Sequence, residues 1–257
     1  MTERITSRRN PLLEQVRRLD TAALRRKAGV FLCDSPKLVG EAVQHGVSVQ
    51  CVIAADGVAF PERLPENVRR VTVPADVMAS ISPMSAPQGM LALCALPDMA
   101  APARLSPGRY VVLDGVQDPG NVGAVLRTAD AFGCTGALLL PGCADPYGPK
   151  TLRAAMGAVF RLPLYAVGLE DLPRLLADAG LPLYGTALRH DTVDVRQRDL
   201  RRCALVIGSE GRGVSAEVLA LCRETLRIPM SSHCESLNAA AAAAVLLWEA
   251  YRAEEGN

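Results

Sequence analysis

Aromatic side chains are scarce in this chain: four Phe, five Tyr and one Trp make up 4% of its 257 residues. Proteins that bind single strands by stacking bases on exposed rings carry more of them, which disfavours that mode of recognition. Histidine is scarcer, with only His45, His190 and His233. The eight cysteines, at 33, 51, 94, 134, 143, 203, 222 and 234, contain no C-x-x-C pair, and the histidines complete no zinc pattern. No metal site is expected, and the cysteines read as thiols in a reducing, cytoplasmic compartment. His233 and Cys234 are sequence neighbours, a spacing at which a base and a nucleophile rarely face each other. The longest apolar run, Ala239 to Trp248, falls well short of the roughly 20 residues that cross a membrane. The polar N-terminus lacks the apolar stretch of a signal peptide.

What is present suits two folded domains. Apolar residues make up 49% of the chain and charged residues 21%, with no low-complexity tract beyond six consecutive alanines at 239–244. The formal net charge of +1 hides an asymmetry. Residues 1–30 hold Arg4, Arg8, Arg9, Arg17, Arg18, Arg25, Arg26 and Lys27 against Glu3, Glu14 and Asp20, eight positive groups to three negative. Arginine forks suit phosphates, so Arg8, Arg9, Arg17, Arg18, Arg25 and Arg26 are candidate nucleic-acid contacts. The plainer alternative is a solvated basic helix face.

The first 95 residues alternate helix and strand signals. Asn10-Pro11 and Ser35-Pro36 each place a capping side chain before a proline at the first helical position. Strand-like runs follow at 49–54, 68–73 and 89–95. Residues 96–107, LPDMAAPARLSP, carry three prolines and few large apolar groups, as a linker does. A second alternation fills 108–257, with strands expected at 110–113, 137–140, 183–186, 204–207 and 225–228. Helices are expected at 121–132, 149–156, 169–179, 215–221 and 236–251. This order predicts a parallel sheet with helices on both faces. Lys150, Arg153 and Arg161 concentrate charge in 145–163, which reads as a surface helix or as a further RNA contact.

Ligands of parallel α/β sheets bind where strand ends enter loops. Three such loops are unusual here. DGVQDPGNVGAVLRTAD at 114–130 has Gly120 and Gly123 for a tight turn, Asn121 as a candidate helix cap, and Arg127 six positions on. IGSEGRGVS at 207–215 has the glycines of a backbone-donor loop but is neither a Walker A nor a G-x-G-x-x-G motif. Glu210 inside it repels phosphate. IPMSSHCESLNAAAAAAVLLWEA at 228–250 places Ser236 as a candidate cap of a last helix made thin by alanine, which suits packing between its own domain and a partner subunit.

In order and spacing these three segments resemble the motifs of the SpoU (TrmH-type) RNA 2'-O-ribose methyltransferases, across essentially all of 108–252. ITSRRNPLLEQVRRL and FLCDSPKLVGEAV resemble the L30e-like substrate-binding domain that precedes many of these enzymes. The chain departs from common family strings at Asp34-Ser35, at Ala155, and in the alanines after Asn238. The resemblance implies a small L30e-like α/β domain over 1–95, then a parallel-sheet α/β domain over 108–257 with a C-terminal trefoil knot. It implies S-adenosylmethionine as cofactor, with Gly208, Ile228 and Leu237 lining the adenosine and Thr186, Met230 and Ser236 nearby. Arg127, Glu210, Asn121 and Asn238 fall on the family's catalytic or site-shaping positions. The implied assembly is a homodimer through the catalytic domain.

The expected activity is methylation of a ribose 2'-hydroxyl on structured RNA, with large-subunit rRNA favoured over tRNA because a separate N-terminal domain suits a particular RNA fold. A non-catalytic RNA-binding or ribosome-assembly protein on the same fold is the rival of a different class; it fits poorly with an intact Arg127 and SLN segment. A nucleotide-dependent oxidoreductase would need a phosphate-friendly glycine loop and an acidic ribose reader, and neither appears.

Overall fold

Asn10 and Ser35 do what their position before proline predicts: Asn10 Oδ1 accepts from the Leu12 amide at 2.9 Å and Ser35 Oγ from the Leu38 amide at 3.2 Å, opening two helices. This computed structural model describes residues 2–187, 192–231, 233 and 236–255; His190 and Cys234 lie outside the described residues. The chain forms two compact units, one of residues 1–98 with 145–160, the other of 99–144 with 161–257.

The first unit is built on a mixed sheet of β1 (Thr2–Arg4), β2 (Val30–Cys33), β3 (Val49–Ala55), β4 (Arg69–Val73) and β5 (Met90–Ala95), in the order β1-β4-β3-β5-β2. Pairs β1–β4 and β3–β4 are parallel, while β5 runs antiparallel to β2 and β3. Around it lie α1 (Pro11–Arg17), α2 (Ala22–Ala28), α3 (Pro36–Gln44) and α4 (Ala75–Ile81). Leu13, Val16, Ile53, Val71, Met78 and Leu91 fill one core.

Residues 145–160 belong to this unit, although the sequence reading grouped them with the second alternation. Phe31 of β2 is fully buried, with Tyr147 at 5.0 Å and Phe160 at 6.2 Å between ring centroids. Arg25 pairs with Asp145 at 2.5 Å. Arg153, on α6 (Pro149–Ala155), pairs with Asp34, whose side chain is wholly buried. Burial raises the Asp34 carboxyl above its ordinary value, with the Arg153 guanidinium opposing the shift. Arg153 is thus a structural cation and not a free surface charge. Arg161, in the other unit, is likewise bound, to Asp130 at 2.8 Å.

The second unit holds a parallel sheet of seven strands: β6 (Arg109–Asp114), β7 (Gly136–Leu139), β8 (Leu164–Ala166), β9 (Leu183–Thr186), β10 (Val193–Asp194), β11 (Cys203–Gly208) and β12 (Glu224–Arg227). Their order is β10-β12-β9-β11-β6-β7-β8. The central strands β6 and β11, YVVLD and CALVIG, are near-continuous apolar runs because both faces are covered. The last strand, β12, slots between β9 and β10, which precede it in the chain. The covering helices are α5 (Pro119–Ala131), α7 (Leu172–Ala179), α8 (Ala216–Leu221) and α9 (Ala239–Glu255). Arg109, 2% exposed, donates to the carbonyls of Phe132 at 2.7 Å and Ala250 at 2.9 Å, fastening the end of α5 to α9.

Two expected caps move. Asp118, not Asn121, caps α5, accepting from the Asn121 amide at 2.8 Å. Asn238, not Ser236, receives the first amides of α9, from Ala240 at 2.9 Å and Ala241 at 3.3 Å. In each case the cap is the side chain placed two or three residues before the free N–H groups, and both shifts release a neighbour for the site described next.

Candidate active site

Strands β9, β11 and β12 end together, and described residues at and just beyond their ends line a cavity of about 300 Å³. Its lining includes Thr186, Gly208, Ile228, Met230, Ser236 and Leu237, the whole expected cofactor set. Sequence reading missed Ile207, Leu226, Arg227, Ala239 and Ala242, which also line it; they are ordinary strand and helix residues until β12 is placed beside β9.

The glycine loop is held shut on itself. Ser209 and Gly213 exchange backbone hydrogen bonds at 3.0 and 2.8 Å, and Gly213 has φ +68°, a conformation side chains resist. Gly208 has no room for a side chain: a Cβ there would lie 2.1 Å from the Gly213 carbonyl carbon. Downstream, the Ser215 amide donates to Asp114 Oδ2 at 2.7 Å, tying the loop's exit to the end of β6. Thr186 donates its hydroxyl to the Val206 carbonyl at 3.0 Å, joining β9 to β11 at the cavity wall.

Three expected site residues form a chain of hydrogen bonds. Asn238 Nδ2 donates to Asn121 Oδ1 at 3.1 Å, and Asn121 Nδ2 donates to Glu210 Oε1 at 2.6 Å. The chain links the start of α9, the first turn of α5 and the glycine loop, and Glu210 also lines the cavity. Arg127 does not join it. It is exposed on α5 and makes no hydrogen bond or ion pair among the described residues, so Glu210 does not position it here. Leu237 is 37% exposed at the cavity wall.

The basic N-terminal set divides. Arg25 is 4% exposed and donates to Asp145 and to the Leu19 carbonyl, so it is a buried structural cation and is removed from the candidate RNA contacts. Arg8 is exposed and pairs with Asp76, and Arg17 donates to the Ser80 and Arg8 carbonyls. Arg9, Arg18 and Arg26 are exposed with no side-chain partner among the described residues. No group of three His, Cys, Asp or Glu side chains converges as a metal site among those residues. No helix there is long and apolar enough to cross a membrane.

Residues 108–248 match the model of the SpoU rRNA Methylase family. The chain belongs to the SpoU family. Residues 10–92 match the MRM3-like substrate binding domain. The chain is 33% identical to the 23S rRNA (guanosine(2553)-2'-O)-methyltransferase RlmP of Bacillus subtilis, over 96% of this chain and 98% of that protein. An AdoMet-bound rRNA methyltransferase from Sinorhizobium meliloti superposes with a TM-score of 0.86 at 29% identity, covering 98% of each chain. The SpoU methyltransferase AviRb of Streptomyces viridochromogenes, solved in complex with the cofactor AdoMet, superposes at 0.84 and 30% identity over 97% of this chain and all of that one (100%). The chain is a SpoU methylase over 108–248, with two of the motif segments lining one cavity and the first tied to them through Asn121.

Proposed function

We propose that this SpoU protein transfers the methyl group of S-adenosylmethionine to a ribose 2'-hydroxyl of large-subunit rRNA. The observation that carries the reading is the Glu210–Asn121–Asn238 chain, which joins all three motifs beside a cavity lined by every expected cofactor residue. The cavity fits the group by its chemistry. Ile207, Leu226, Ile228 and Leu237 offer apolar surface to an adenine, and the Gly213–Val214 backbone packs directly on Gly208, where no side chain fits. Glu210 disfavours a phosphate and favours a cation such as a sulfonium.

When bound, S-adenosylmethionine supplies a methyl on positively charged sulfur, a leaving group that needs no acid. What remains for the protein is alignment of the ribose oxygen and loss of its proton. As the oxygen–carbon bond forms, the sulfur–carbon bond would break with its electron pair kept by the sulfur of the neutral thioether product, and the hydroxyl proton would pass to solvent water. Arg127, on the helix that carries Asn121, is exposed and makes no hydrogen bond or ion pair among the described residues. A guanidinium has five donors and no acceptor, so its role is to grip the target phosphate and stabilise charge developing on the oxygen. Asn121 and Asn238 hold Glu210 at the cavity edge.

The N-terminal unit would grip the rRNA in an L30e-like manner, through exposed arginines such as Arg9, Arg18 and Arg26. We further assign a homodimer through the catalytic unit, in which exposed Val245 and Trp248 of α9 are covered, and a C-terminal trefoil knot. A cytoplasmic setting suits the free thiols of Cys33, Cys51, Cys94 and Cys203.

The test is methylation with tritiated S-adenosylmethionine on separate unmodified rRNA and tRNA pools. Label in the rRNA pool at an alkali-resistant linkage supports the reading. Label only in tRNA shifts the substrate. No label and no cofactor binding by calorimetry would leave the RNA-binding alternative.

A further inference from the structure

A second concavity lies at the opposite end of the catalytic sheet, where strands β9, β11 and β12 begin. It is lined by Tyr184, Arg198, Arg201, Arg202 and Arg223, with Asp199 the one acid. Arg198 makes a forked pair with Glu224 at 2.5 and 3.0 Å, and Arg201 another with Asp199 at 2.9 and 2.7 Å. Two carboxylates thus offset two of four guanidiniums. Arg202 and Arg223 are exposed and make no ion pair among the described residues. Arg223 is anchored by its own backbone, its amide donating to the Leu183 carbonyl at 2.8 Å.

Arg223 stands immediately before β12 and Arg227 ends it, and Arg227 lines the cofactor cavity. Four strand steps separate them, about 13 Å. Arg196, paired with Asp194 of β10, lies on the neighbouring edge strand's exit. Arginines therefore stand at both ends of the strand that joins the remote concavity to the reaction site. A mononucleotide or free phosphate would occupy one end of this track. A ligand that repeats its negative charge along its length would occupy both, and arginine forks match its phosphates.

We propose that the Arg198–Arg202–Arg223 cluster is a second contact for the phosphate backbone of substrate RNA, which passes over the protein surface between this cluster and the cofactor cavity, since Thr225 and Leu226 of β12 are themselves buried. The inference rests on the rRNA methyltransferase reading and deepens it: these arginines supply affinity at a distance from the methylated ribose and take no part in the chemistry. Each phosphate they neutralise releases counterions, so their contribution is read in salt dependence.

The test uses the full chain and an unmodified 23S rRNA transcript. Its affinity is measured between 50 and 300 mM KCl for the wild type, for Arg202→Gln/Arg223→Gln, and for Arg174→Gln, an exposed arginine of α7 outside the cluster. The double variant is expected to lose about 1.5 from the slope of log affinity against log salt, since each phosphate contact contributes roughly 0.7–0.9. Its KM for RNA should rise several-fold, with kcat and S-adenosylmethionine affinity unchanged and Arg174→Gln like the wild type. Arg202→Gln alone, which removes no contact from the fold, should show about half the slope change. Slopes and KM equal to the wild type in both cluster variants would overturn the inference while leaving the methyltransferase reading standing. The binding slope decides the inference even where no methylation is detected, so the two readings fail separately.

Discussion

Asn121 donates its side-chain amide to Glu210 at 2.6 Å, across 89 positions of sequence. The same amide group accepts from Asn238, so one short side chain fixes the mutual placement of two loops. A hydrogen bond to a carboxylate contributes about 1.5–3 kcal/mol. Asn121→Ala should therefore lower kcat by about 10- to 100-fold with the fold retained. Glu210→Gln keeps an acceptor for Asn121 and should cost less than Asn121→Ala. A larger loss in Glu210→Gln, measured in single-turnover methylation, would show that the negative charge itself acts.

Arg127→Ala should reduce turnover to background while calorimetric S-adenosylmethionine binding stays near wild type, since Arg127 is outside the cavity lining and holds nothing else among the described residues. Arg127→Lys should recover little, because an ammonium lacks the fork. Full activity in the alanine variant would remove Arg127 from the mechanism.

Gly208→Ala puts a carbon where the Gly213 backbone already stands. Backbone cannot rotate aside as a side chain does, so the 209–213 loop must shift. The expected result is at least a tenfold loss of cofactor affinity, larger than the loss from Gly211→Ala, where the added carbon meets nothing within 4 Å. Isothermal titration of both variants checks the contrast.

Arg25→Met should destabilise the first unit by about 3–5 kcal/mol, the usual result of leaving one partner of a buried ion pair unpaired. It should leave the salt slope of RNA binding by folded protein unchanged, because Arg25 is not at the surface. Urea unfolding and salt-dependent RNA binding measure the two halves of this expectation.

The Asp34 carboxyl, raised by burial, takes up its proton at a higher pH in the folded chain than in the unfolded one. Its favourable contribution is therefore full below the unfolded value and is lost as pH rises through the folded value. Wild-type stability relative to Asp34→Asn should improve on acidification through that acidic window. A difference between the two unfolding midpoints that is flat with pH would show that Asp34 titrates alike in both states.

The sequence by itself determined the parts with local causes. Apolar runs too uniform for a surface placed β6 and β11, and proline after a capping side chain placed α1 and α3. The motif strings carried the family, and with it the six expected cofactor residues that line the cavity. Tertiary structure decided what depends on distant partners. Arg25 reads as a surface cation until Asp145 reaches it from 120 residues away. The caps of α5 and α9 were misplaced by a few positions because each stretch offers several polar side chains, and only the observed backbone selects the one that meets the free amides. The membership of 145–160 in the first unit rests on Phe31, Asp34 and Arg25 being buried by it, a relation no local pattern encodes. The insertion of β12 between β9 and β10 is likewise invisible in the order of strands along the chain, yet it is what turns Arg227 and Leu226 into cavity walls.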